Sequence, residues 1–225
     1  MPFYLIQKEK PMQRKTFFWD FDGTLFDTYP IMVQAFMQAL LKQHVSEYEL
    51  DEVEIYEVMR QHAMGTALSQ FSAQFSIDQV QLERDYRDIE PTMIDAAQPF
   101  DGIVPLLKAI HDQGGQHYLL THRDASSLHL LEQAEIKSLF NDFITKEQPF
   151  ARKPNPDSLN FLIDKHNVDR DTAIMVGDRT LDIDAGHNAG IAGALFDPHR
   201  VINAAASHPE IDVTNVPALA KALLA

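Results

Sequence analysis

The stretch KTFFWDFDGTLFDT, residues 15–28, ends an apolar run on two aspartates, Asp20 and Asp22, one residue apart, and then turns through Gly23-Thr24. An isolated buried charge is costly, so paired carboxylates at the end of a strand imply a compensating partner. Other apolar runs also stop on polar residues: YLLT at Thr121, and AIMVGD at Asp178 with Asp182 four residues later. Asp20, Asp22, Asp178 and Asp182 in one small volume cannot all stay ionised without compensation. A hard divalent cation with oxygen ligands, most simply Mg²⁺, would supply it. The i, i+4 spacing of Asp178 and Asp182 puts both on one side of a helix start. Lys153, set in ARKPNPD just before a helix, is a point charge suited to a phosphate. Thr121 offers a hydroxyl to another phosphate oxygen, and the Gly23-Thr24 turn offers backbone amides that can approach an anion closely.

These positions need a frame that brings strand ends together. TFFWD, HYLLT, DFIT, AIMVGD and AGALFD read as strands, separated by helical patterns such as Ile103, Leu106, Leu107 and Ile110, stopped by Gly114-Gly115. Strands alternating with helices predict an α/β fold, a doubly wound parallel (Rossmann-like) sheet covered on both faces. In such sheets ligands bind beyond the carboxyl ends of the strands. Between residues 28 and 97 the period is helical only: Val33, Phe36, Met37, Leu40 and Leu41, then Ile55, Val58, Met59 and His62, then Leu82, Tyr86, Ile89 and Met93. The chain therefore divides into a core, 1–28 and 98–225, and an inserted all-helical cap domain, 29–97. MRQHAMGTALSQF is read as a loop joining two cap helices. Asp27 is read as starting or capping the first of them.

DFDGTLFDT, LLTHRD, RKPNPD and GDRTLDIDAGHNAGI, in this order, resemble the four motifs of the haloacid dehalogenase superfamily, in particular its phosphatases with a helical cap after the first strand. The resemblance spans residues 15 to 196. It implies that Asp20 is a nucleophile forming an aspartyl-phosphate and that Asp22 is the general acid and base. It implies Mg²⁺ held by the side chains of Asp20 and Asp178 and the main-chain carbonyl of Asp22, with Asp182 completing or supporting that shell. Gly23, Thr24, Thr121, His122 and Lys153 would hold the phosphoryl group. Asp22 favours phosphate esters over halide displacement, which needs no acid for its leaving group. His122 and Arg179 stand where related enzymes often carry Asn and a small residue. Within the cap loop, Arg60 and His62 are candidates for contact with the leaving group, an exposed helix-end arginine being the plainer reading of Arg60.

The formal net charge of −14 argues against nucleic acid or an anionic membrane surface as partner. With no cysteine there is no disulfide, thiolate nucleophile or zinc-thiolate site. His111, His117, His122 and His129 lack tight ligand spacing and read as scattered core and surface residues, His122 excepted for its position. MPFYLIQKEK has too short an apolar stretch for a secretory segment, and residues 1–14 read as a surface extension. The expectation is a cytoplasmic Mg²⁺-dependent phosphatase, monomer or small homo-oligomer, acting on a small phosphorylated metabolite. The alternatives are a phosphomutase of the same chemistry, or an inactive phosphate-binding regulator.

Overall fold

The computed structural model describes residues 14–225; the surface extension read at residues 1–14 falls almost wholly outside them. Among the described residues six strands form one parallel sheet: β1 (Thr16–Trp19), β2 (Gln116–Leu120), β3 (Phe140–Ile144), β4 (Ala173–Gly177), β5 (Ala192–Phe196) and β6 (Ile211–Val213). Their order is β3-β2-β1-β4-β5-β6, so strand order reverses at β1 and a ligand crevice forms there. Successive β1 residues point to opposite faces. Phe17 and Trp19 pack with Ile103 and Leu107 of α5 (Ile103–Asp112), Leu130 of α6 (Ser126–Gln133) and Leu219 of α9 (Val216–Leu223). Phe18 packs on the other side with Leu159 and Leu162 of α7 (Asp157–His166) and Ala185 of α8 (Thr180–Asn188). The doubly wound α/β reading of the sequence is the observed fold.

Between β1 and α5 lie α1 (Tyr29–Lys42), α2 (Glu52–Gln61), α3 (Met64–Phe75) and α4 (Gln79–Met93). They share a separate apolar cluster, with Phe36 of α1 edge-on to Phe71 of α3 and Tyr86 of α4. Two sequence readings are corrected here, and one element is added. MRQHAMGTALSQF is not a loop: Met64–Phe75 is a helix, because Ala67, Leu68 and Phe71 bury one face against the other three. Asp27 stands one residue ahead of the N-cap, Thr28, whose side chain makes no capping bond. The C-terminal segment contributes a strand, β6, as well as the Ala-rich helix α9.

His117 is one of the scattered histidines and has a structural place. The Trp19 indole N–H donates to its Nδ1 at 3.0 Å, and its Nε2 lies 3.0 Å from the carbonyl of Leu107, which can only accept. The ring is therefore neutral, and burial pushes its pKa down to about 4. An unfolded histidine titrates near 6.5, so between about pH 6.5 and 4 the unfolded chain holds the extra proton and stability falls as pH falls. Urea melts followed by Trp19, the chain's one tryptophan, should lose roughly 3 kcal/mol from this group across that window. His117→Gln should flatten the dependence while lowering stability at pH 7; identical slopes would contradict the assignment.

Candidate active site

Register assembles the site. Trp19 pairs with Leu119 and with Val176, so one residue further lie Asp20, Leu120 and Gly177, and beyond them Phe21, Thr121 and Asp178. The Asp20 amide still donates to Val176 O at 2.9 Å, which holds its carboxylate at the sheet's edge. The chain then folds back on Phe21, whose carbonyl takes the amides of Leu25 and Phe26 at 3.0 and 3.1 Å and whose ring stacks on Phe26 at 4.6 Å. Gly23 adopts φ +73°, and a Cβ there would lie 2.5 Å from Asp178 Oδ2. Glycine thus permits the turn and the close approach of Asp178 together. At Gly177 a Cβ would sit 2.2 Å from that of Asp182, which is how the α8 carboxylate reaches back under the strand end.

Asp20, Asp178 and Asp182 are buried, with one carboxylate oxygen of each within 4.8 Å of the others. Lys153 Nζ lies 2.7 Å from Asp20 Oδ1 and 2.6 Å from Asp182 Oδ1, and donates to Leu120 O at 3.1 Å. Burial raises the pKa of Asp20, with Lys153 opposing; burial likewise raises Asp178, opposed by Arg60 and Arg179. For Lys153 burial acts downward, but Asp182 and Asp20 outweigh it and the net shift is upward. Asp182 Oδ2 also accepts from the Arg179 amide at 3.1 Å, fixing its orientation.

Four sequence-predicted groups sit differently from the simplest reading. The carboxylate of Asp22 is outside the buried cluster: its Oδ1 accepts from Arg123 Nε at 2.7 Å, and its Oδ2 takes no hydrogen bond from a described residue. The Gly23 amide donates to Phe26 O at 2.8 Å and the Thr24 amide to Phe21 O at 3.3 Å, so both are spent inside the turn. Among the described residues the amides of Phe21 and Asp22 make no such bond. His122 Nε2 accepts from the Lys153 amide at 3.0 Å, and burial followed by Lys153 pushes its pKa down to about 3. A neutral imidazole thereby orients the lysine's backbone. Thr121, 2 % exposed, accepts from the Arg123 amide at 3.0 Å and keeps its own hydroxyl proton to donate.

The helices contribute two residues whose contacts the sequence did not show. Arg60, in the last turn of α2, is 1 % exposed and reaches the sheet end. Its guanidinium pairs with Asp178, and with Asp197 beyond β5 at 2.9 Å, and it lies over the Tyr29 ring at 4.9 Å. His62 is exposed and meets the site through its carbonyl, 3.5 Å from Arg179 Nη1. Glu90, near the end of α4, accepts from Arg123 Nη1 at 2.7 Å. Asp197 carried the same signal as Asp20, a carboxylate closing an apolar strand; Arg123 and Glu90 carried none.

The donor set fits a divalent cation. Around the cluster Asp20, Asp178, Asp182 and Asp197 face Lys153, Arg60 and Arg179, leaving carboxylates in excess. Asp178 Oδ1 is buried without a hydrogen-bond partner among the described residues, an unmet acceptor of the kind a hard cation takes. Beside the cluster, a cleft of about 500 Å³ lies between the sheet end and the four helices. Its walls include Asp22, Tyr86, Glu90, His122, Arg123 and Lys153.

Comparison with known proteins decides the family. The family model for haloacid dehalogenase-like hydrolases matches residues 17–196. The chain belongs to that family. Within it, a phosphoglycolate phosphatase from Vibrio vulnificus is 28 % identical over 203 residues, 85 % of this chain and 88 % of that one. The pyrophosphatase PpaX of Halalkalibacterium halodurans is 24 % identical over 186 residues, 82 % of this chain and 84 % of that one. The crystal structure of a predicted phosphoglycolate phosphatase from Haemophilus somnus superposes with a TM-score of 0.80 over 95 % of this chain and 99 % of that one; at 19 % identity it attests the fold. Family and phosphatase relatives together make the chain a phosphoric monoester hydrolase. No described helix is long and apolar enough to cross a membrane.

Proposed function

We propose that this hydrolase is a Mg²⁺-dependent phosphatase of the cytoplasm, working through an aspartyl-phosphate on Asp20, and that its substrate is a small phosphorylated metabolite with a second anionic group. The observation that carries the reading is the unequal placement of the two motif carboxylates. Asp20 is buried against Lys153, whereas Asp22 is turned out of the cluster with Oδ2 unbonded at the cleft. One is held as a nucleophile and the other is placed to move a proton.

In the first step Asp20 attacks phosphorus and the bond to the leaving oxygen breaks. Its electron pair stays on that oxygen, which takes the proton from Asp22. In the second step water attacks the phosphorus of the aspartyl-phosphate, Asp22 removes the water's proton, and the Asp20–phosphorus bond breaks to release phosphate. Lys153, the Thr121 hydroxyl and the amides of Phe21 and Asp22 supply donors to the phosphoryl oxygens. Asp20, Asp178 and Asp182, with the main-chain carbonyl of Asp22, are the groups that would hold Mg²⁺, which when bound neutralises charge on the nucleophile and the phosphoryl group. The helices α1–α4 act as a cap domain over the core, excluding bulk water when closed. The protein works as a monomer or small homo-oligomer.

The substrate reading rests on charge. In a chain of net charge −14, the cleft is lined by Arg87, Arg123, Lys146, Arg152, Lys153 and Arg179 against Asp22, Glu83, Glu90 and Asp124. Arg152 makes no ion pair with a described residue, so it is open to a ligand anion. Phosphoglycolate and pyrophosphate, the substrates in the names of two relatives, both carry such a second anion. Neither Arg60 nor His62 is among the residues lining the cleft, so in place of contact with the leaving group Arg60 acts on selectivity indirectly, by anchoring the end of α2 to Asp178 and Asp197.

A panel of phosphoglycolate, pyrophosphate, sugar phosphates and nucleotides tests this. Release of phosphate should require Mg²⁺, stop with chelator, and favour substrates with the second anion near the phosphoryl group. Chelator-indifferent activity would overturn the metal assignment, and preference for neutral sugar esters would overturn the substrate class.

A further inference from the structure

Arg123 lies where the sheet end, the acid/base loop and the helical cap meet. Its backbone is fixed on both sides: the amide donates to Thr121 Oγ1 at 3.0 Å and the carbonyl accepts from Lys146 N at 3.0 Å. Its guanidinium, 8 % exposed, spans two carboxylates, giving Nε to Asp22 Oδ1 and Nη1 to Glu90 Oε1, each at 2.7 Å. A buried cation is tolerated only when such partners are in place. Asp22 belongs to the loop after β1 and Glu90 to α4, so the two carboxylates converge on one guanidinium only when the cap is seated on the core. The planar fork has the shape to hold both with fixed angles, which a lysine ammonium lacks.

We propose that Arg123 is a positioning residue for the proton transfer by Asp22, and that Glu90 is the cap's handle on it: docking of α4 clamps Arg123, and Arg123 clamps Asp22 Oδ1, so that Oδ2 faces the leaving oxygen. The inference rests on the phosphatase reading above. Neither residue touches the phosphoryl group; both act through the orientation of Asp22. In the open cap Arg123 loses Glu90, and Asp22 loses the fixed direction that proton transfer requires. The cap thus organises the acid in the act of enclosing the substrate.

The test exploits leaving-group basicity. Departure of p-nitrophenolate needs little help from an acid, whereas departure of phenolate, close in shape but far more basic, needs a proton. Because kcat/KM reports the steps through phosphoryl transfer, the phenyl to p-nitrophenyl phosphate ratio isolates acid catalysis from binding and from the later hydrolysis. Glu90→Gln should lower this ratio about tenfold, a fraction of the 10²–10⁴-fold that a positioned acid supplies. Arg123→Lys should lower it similarly, and Glu90→Asp, which keeps charge with shorter reach, should fall between, with the fold of each variant checked by circular dichroism. An unchanged ratio in the folded Glu90 and Arg123 variants, or losses equal for the two esters, would overturn the proposal while leaving the phosphatase reading standing. A wild-type protein inactive on both esters with Mg²⁺ would overturn the phosphatase reading, and this inference with it.

Discussion

Asp20→Asn is expected to abolish phosphate release, by at least about 10⁴-fold in kcat, because removal of a covalent nucleophile eliminates the route and does not merely slow it. The same change should leave the protein as stable as the wild type or more so. Asp20 is a buried carboxyl in a cluster where Asp20, Asp178, Asp182 and Asp197 outnumber Lys153, Arg60 and Arg179, and an amide removes a group whose ionisation burial disfavours while keeping an oxygen for Lys153. The paired readout matters: lost activity with a preserved or raised Tm assigns the loss to chemistry. Activity within tenfold of wild type would place the nucleophile elsewhere.

Lys153→Met is expected to damage both activity and fold. Lys153 is buried and joins Asp20, Asp182 and the Leu120 carbonyl, so its loss leaves two buried carboxylates without their cation. Breaking such a pair costs about 3–5 kcal/mol, which for a chain of this size lowers Tm by roughly 10 °C. Loss of a charge from the phosphoryl oxygens should cost about 10²–10³-fold in kcat. The stability loss should also depend on pH in a definite sense. Burial has already pushed Asp20 up to about 8, with Lys153 pulling against it. Without the lysine the folded chain holds that proton still more firmly than the unfolded chain, which titrates near 3.9. Stability of the variant should therefore fall as pH rises from about 5 and go on falling above pH 8, where the fall that Asp20 causes in the wild type levels off. A destabilisation that stays flat as pH passes through 8 would show that Lys153 acts by packing alone.

The parts of this site legible in sequence are those written locally. A hydrophobic strand that ends in a carboxylate, repeated at Asp20 and Asp178, announces the sheet edge, and the register of β1 with its two neighbours then fixes their convergence. Asp182 follows because it sits at a fixed offset from such an end, and Lys153 because it stands just before a helix start. What the sequence did not reveal depends on distant segments closing on one another. Arg60 reads as a surface residue at a helix end until α2 is seated against Asp178 and Asp197. Arg123 and Glu90 are ordinary charged residues until α4 meets the loop after β2. Helix α3 was obscured by Gly65-Thr66 in its first turn, since its apolar face, Ala67, Leu68 and Phe71, gains meaning only against α1 and α4. Strand β6, three residues long, is too short for a period to show. The turn after β1 gives a subtler case: the sequence presents Gly23 as a turn residue with an amide open to an anion, but its freedom serves the φ of +73° and the approach of Asp178, while its amide is spent on Phe26.

The covalent step on Asp20 is the central claim, and trapping it is the most direct measurement. Wild-type protein mixed with Mg²⁺ and a labelled phosphate ester, quenched in acid within the first turnover and digested, should carry one phosphate on Asp20, in the peptide around Phe17–Phe26, labile to hydroxylamine as an acyl phosphate must be. Label absent under conditions of steady turnover, or attached to any residue other than Asp20, would contradict it.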